Sequence, residues 1–139
     1  MKTVLVFGAF DPLHAGHEDF FRQAKTLGDQ LIVVVARDGA IKRYKQRAPY
    51  HGESDRRQAV VGAAHVDQVY LGDQDSEQYH LLKTLAFDVV ALGYDQSPAD
   101  HAVRQLLDSI GKTHVTIVRL QPFKPDQYKS SFFCPQEKI

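Results

Sequence analysis

A chain of 139 residues, 43% hydrophobic and 24% charged, has the composition of one ordinary globular fold, and a single domain over 1–139 is the expectation. Its 17 Lys and Arg balance 17 Asp and Glu, so no bulk positive field draws it onto nucleic acid, which disfavours a nucleic-acid partner. Its one cysteine, Cys134, excludes an internal disulfide and any Cys-x-x-Cys metal or redox pair, and is read as a free thiol.

The first apolar run, Val4 to Phe7, is too short for a signal peptide, and no later run reaches membrane-spanning length. A cytoplasmic protein with no membrane partner is expected. Phe20, Phe21, Ala24 and Leu27 then repeat at helical spacing, and Gly28-Asp29 should end that helix. A second strand is predicted from Leu31 to Ala36. The connection from Asp38 to Ser54 reads as a long irregular basic loop carrying Lys42, Arg43, Lys45 and Arg47 with Gly39, Pro49 and Gly52. Val60, Val61 and Ala64 mark another helix, and Gln68 to Leu71 a short strand. Leu81, Leu82 and Leu85 precede the strand Val89 to Leu92. Val103, Leu106, Leu107 and Ile110 form a last long helix, ended by Gly111, before the strand Val115 to Leu120. Gln121 to Lys129, with two prolines, is irregular.

Near-continuous Val and Ile runs alternating with helical segments predict an α/β fold. It is a doubly wound, Rossmann-like parallel sheet of about five strands with helices on both faces. Ligands in such sheets bind at the carboxyl ends of the strands. The segment Gly8-Ala9-Phe10-Asp11-Pro12-Leu13-His14-Ala15-Gly16-His17 joins the first strand to the first helix. It is neither a Walker loop nor a Gly-x-Gly-x-x-Gly fingerprint, yet it has the parts of an anion site. Gly8 is expected to allow a sharp turn, the helix N-terminus to offer free N–H groups, and Gly16 to allow close approach. His14 and His17 share one face of the first turn. A bare His-x-x-His pair is equally readable as a metal site or as surface residues.

That spacing, directly after an N-terminal strand, resembles the signature of the cytidylyltransferase-like nucleotidyltransferases. The resemblance continues through Val35-Ala36-Arg37-Asp38, Lys42 to Lys45 with Pro49, Arg56-Arg57, Val66-Asp67, Gly93-Tyr94-Asp95-Gln96 and Tyr128-Lys129-Ser130-Ser131-Phe132. Among the branches it is most similar to archaeal-type FAD synthases, which transfer AMP from ATP to FMN. Cytidylyltransferases acting on glycerol 3-phosphate, and adenylyltransferases acting on phosphopantetheine or sugar phosphates, share the first motif and are the alternatives. A nucleotide-binding regulatory module is the non-enzyme alternative.

The resemblance implies His14, His17 and Lys45 as catalytic residues. It implies Gly8, Ala9, Phe10, Asp11, Gly16, Arg57, Gly93, Asp95, Lys129, Ser130 and Ser131 as nucleotide-binding residues. No protein metal ligand is implied, and Mg²⁺ is expected to accompany the triphosphate. The implied partners are ATP or CTP, a phosphate-bearing acceptor such as FMN, and a second copy in a homodimer. Plainer readings stand beside these. Lys42 to Arg47 can be a solvated face, Arg56 and Arg57 can pair with Glu53 or Asp55, Asp95 can cap a helix near Pro98, and Ser130 and Ser131 can be caps. In related enzymes a serine or threonine pair caps a substantial C-terminal helix, whereas only eight residues, Phe132 to Ile139, follow here. His51, His65, His80, His101 and His114 have no motif context and are read as structural.

Overall fold

The computed structural model describes residues 1–72, 80–94 and 99–121, the side chains of 44, 45 and 80 excepted. In chain order the elements are β1 (Thr3–Gly8), α1 (Ala15–Lys25), β2 (Gln30–Val35), α2 (Asp38–Lys45), α3 (Glu53–Val61), β3 (Gln68–Leu71), α4 (His80–Thr84), β4 (Val89–Leu92), α5 (Asp100–Ser109) and β5 (Thr116–Arg119). The five strands form one sheet in the order β3-β2-β1-β4-β5, and every pairing is parallel.

The apolar runs follow from burial on both faces. Val4 and Val6 of β1, with Leu31, Val33 and Val35 of β2, pack against Phe21 and Ala24 of α1 and Val60 of α3. The intervening Leu5, Ile32 and Val34 face Val103 and Leu107 of α5 on the opposite side, together with Phe87. Successive residues of a strand point to opposite faces, so a strand with helices on both sides needs apolar residues without alternation.

An aspartate immediately precedes each of three strands and ties its amino end to a neighbour. Asp29 accepts the Lys2 N–H at 2.8 Å, Asp88 the Thr3 N–H at 2.9 Å and Asp67 the Leu31 N–H at 2.8 Å. The hydrogen bond from Lys25 holds the Asp67 carboxyl below the usual carboxylate range, outweighing the opposing effect of burial. The amino ends of the strands are thus fixed by side chains, and the carboxyl ends are left to the loops.

Two expectations change in detail. The helix cap falls on Thr26, and Gly28 serves a close approach: a Cβ there would stand 2.7 Å from the Lys2 carbonyl oxygen. The connection after β2 is not irregular, because Asp38–Lys45 is helical and ends at Gln46 in the left-handed conformation. Gly111 ends α5 with φ +83°, as expected of a glycine past a helix. Among the described residues no helix is long and apolar enough to cross a membrane.

Candidate active site

The sheet order puts the topological switch point between β1 and β4, where successive units wind outward in opposite directions. In sheets of this kind the ligand crevice lies there, above the carboxyl ends of the strands. Two segments border it: residues 8–17 after β1, and Gly93 and Tyr94 after β4.

Gly8 lies within β1 rather than in a sharp turn. Its missing side chain makes room for the Phe10 ring, since a Cβ at position 8 would meet Phe10 Cζ at 3.0 Å. Phe10 is held at φ +53°, a left-handed conformation that costs a non-glycine residue about 1–2 kcal/mol. The strained backbone turns its buried ring inward. There it meets the His17 ring edge-on at 5.1 Å and the Phe21 ring at 5.2 Å. Phe10 therefore acts as a brace behind His17.

His14 is the N-cap of α1, and its Nδ1 accepts the Gly16 N–H at 3.0 Å. His17 reaches back, its Nδ1 accepting the His14 N–H at 3.3 Å, so the two histidines form a reciprocal capping box. The Gly16 N–H, expected to face an anion, is instead taken by the His14 ring. The ring centroids lie 3.9 Å apart, with the planes tilted by 30°. Burial lowers the pKa of both histidines. His17 is pushed from 6.5 down to about 3, with repulsion from His14 adding to the effect of burial. Both shifts favour the neutral imidazole at physiological pH. Because each Nδ1 accepts an N–H, the ring proton of each resides on Nε2. The motif thus presents two preorganised N–H donors of fixed tautomer.

This arrangement has a consequence for stability. An unfolded imidazole binds a proton as pH falls through 6.5, whereas native His17 resists protonation until about 3. Stability is fully present above pH 6.5 and should decline by on the order of a few kcal/mol as pH falls toward 3. Urea unfolding at several pH values should show that decline, and His17→Asn should flatten the part due to this ring.

Two buried charges tie the next segment of chain to this loop. Asp11, fully buried, accepts the Tyr50 N–H at 2.6 Å and the His51 N–H at 3.0 Å, and its Oδ1 lies 2.7 Å from His51 Nδ1. Its carboxylate faces this second segment. Arg56 is 1% exposed, and its guanidinium donates to the carbonyls of His51 (2.9 Å), Ala9 (3.0 Å) and Ala36 (2.6 Å) and to Asp38 Oδ1 (2.7 Å). One side chain thereby joins the loops after β1 and β2, the start of α2 and the segment before α3. The anion beside Arg56 is Asp38. Glu53 instead pairs with Arg37 at 3.1 Å and accepts the Asp38 N–H. Arg57, the adjacent cation, is exposed. Lys45 closes α2, and its side chain lies outside the described residues.

At the second border, Arg119 Nη1 donates to the Gly93 carbonyl at 2.5 Å and Nη2 pairs with Asp100. The end of β4 is thus anchored to β5 and α5. Among the described residues no cluster of three or more His, Cys, Asp or Glu could hold a metal ion. The site offers neutral donors, a helix start and braced loops for an anionic group such as a phosphate.

The cytidylyltransferase-like family model matches residues 5–133. The chain belongs to the cytidylyltransferase-like family. Within it, the proteins named FAD synthase from Pyrococcus horikoshii and Thermococcus onnurineus are 40% and 36% identical to this chain. Each alignment covers 92% of this chain, and 86% and 85% of the respective relatives. A crystal structure of a lipopolysaccharide core biosynthesis protein from Thermoplasma volcanium is 32% identical, with a TM-score of 0.76 over 89% of this chain and 99% of that one.

Of the site residues that the sequence suggests for this cytidylyltransferase-like chain, the structure brings together Gly8, Ala9, Phe10, Asp11, His14, Gly16 and His17 on one loop and helix start. Gly93 borders the neighbouring strand. Asp95, Lys129, Ser130 and Ser131 lie outside the described residues. The sequence reading names Arg57 for the site and passes over Arg56, although Arg56 is four residues before the buried Val60 and so shares its face of α3.

Proposed function

We propose that this chain is a nucleotidyltransferase that transfers AMP from ATP to FMN, giving FAD and pyrophosphate. The observation that carries this reading is the pair of neutral histidines whose Nε2–H donors are fixed at the carboxyl end of β1, beside the switch point. The FAD synthase names of its relatives support the choice of substrates.

An oxygen of the FMN phosphate attacks the α-phosphorus of ATP, a new P–O bond forms, and the bond to the β-phosphate oxygen breaks to release pyrophosphate. The nucleophile is already anionic, so no general base is required. Catalysis rests on alignment and on neutralising charge that grows on the α-phosphate oxygens. His14 and His17 donate to those oxygens. Being neutral, they keep one proton state across the working pH range. Lys45, Arg57 and Lys129 supply positive charge toward the triphosphate, Ser130 and Ser131 contact its terminal phosphates, and Gly93 and Asp95 border the base or ribose. Mg²⁺ would enter as part of the MgATP substrate and offset its charge.

The test is pyrophosphate release with Mg²⁺ from ATP or CTP, each with FMN, glycerol 3-phosphate, a sugar phosphate or phosphopantetheine. The sugar phosphate is included because the Thermoplasma relative is named for lipopolysaccharide core biosynthesis. Release is expected with ATP and FMN, with FAD formed. Release with a different pair would reassign the substrates, and nucleotide binding without release from any pair would make the chain a regulatory module.

A further inference from the structure

Tyr50 is the one exposed phenyl or phenol ring among the described residues, at 49% exposure. The backbone of Tyr50 and its ring each have one fixed partner. Its own N–H donates to the buried Asp11 carboxylate at 2.6 Å, three residues before His14 in sequence. The Arg47 guanidinium lies over the ring, 4.2 Å from its centroid, while Arg47 Nη1 donates to the Ala48 carbonyl at 2.7 Å. The result is a half-exposed flat ring with the Arg47 guanidinium over it, its backbone fastened to the loop that carries the histidines.

We propose that Tyr50, backed by Arg47, is the surface on which the aromatic ring system of the acceptor stacks. The proposal rests on the reading that the acceptor is FMN. A flavin is planar and electron-poor, which suits stacking on an electron-rich phenol. Its ring is also separated from its phosphate by a ribityl chain. The surface that reads the ring must therefore border the phosphate site without belonging to it. A ledge tethered through Asp11 to the His14 loop meets that requirement, and small aliphatic acceptors would make no use of it.

The test compares wild type with Tyr50→Phe and Tyr50→Ala, measuring FMN affinity by quenching of flavin fluorescence and steady-state constants for FMN and ATP. Tyr50→Ala should weaken FMN binding and raise its KM about tenfold, as expected for loss of one stacking partner. The KM for ATP should stay within about twofold, and Tyr50→Phe should restore FMN affinity because the ring, not the hydroxyl, supplies the stacking. If the wild type makes FAD and Tyr50→Ala leaves FMN affinity and KM unchanged, the ledge is wrong while FAD synthesis stands. If the wild type neither binds FMN nor makes FAD, both fall together.

Discussion

His17→Asn should lower kcat by about 100- to 1,000-fold while the protein stays folded, because removing one preorganised donor to a developing oxyanion typically costs that much. Asparagine separates the two jobs of the ring. Its amide oxygen stands where Nδ1 stands in histidine, so it can still accept the His14 N–H and keep the capping box, but nothing replaces the Nε2–H. His14→Asn should behave in the same way, retaining the acceptor for the Gly16 N–H. His17→Gln offers the converse exchange, an N–H near the Nε2 position without the cap, and should recover part of the rate. Steady-state kinetics with thermal denaturation of each variant distinguishes these cases. Near-normal turnover in His17→Asn would mean that the imidazoles serve only to start α1.

Arg56→Ala should destabilise the fold by roughly 3 kcal/mol, chiefly because backbone carbonyls packed around the buried guanidinium are left unsatisfied, while the partly exposed Asp38 is solvated. Three carbonyls and the Asp38 carboxylate lose their donor together. Arg56→Lys should recover little, since a point-charge ammonium cannot span four acceptors arranged around a planar fork. Arg57→Ala should stay within about 0.5 kcal/mol because that side chain is exposed. Denaturant midpoints of the three variants provide the measurement. Equal effects at positions 56 and 57 would contradict the clamp.

The contrast between these arginines shows what a one-dimensional reading reaches. The central strands are legible because burial on both faces demands unbroken Val and Ile runs, whereas the four-residue β3, Gln-Val-Tyr-Leu, is only partly buried and carries a weaker signal. The α2 helix is not legible, because among its described side chains Ile41 alone is buried and a single apolar position produces no period. In the site, His14 and His17 are legible from spacing, and the glycine at position 8 from its place at the end of the strand. What the spacing does not carry is direction. Asp11 is turned toward residues 50 and 51, and Gly8 yields to the Phe10 ring rather than to a turn. The donor expected from the helix start is taken by a histidine of the motif itself. Each depends on pairs far apart in the chain or on a backbone conformation that composition does not report.

The central claim is attack of an acceptor phosphate on the α-phosphate of ATP, and the fate of the individual phosphates tests it most directly. The wild-type chain would be incubated with FMN and MgATP labelled in parallel at the α- or the γ-phosphate, and the products separated. Label from the α-position should appear in FAD and label from the γ-position in pyrophosphate, in equal amounts. Transfer of the γ-label to the acceptor, or consumption of ATP with no α-label in any acceptor product, would contradict the account.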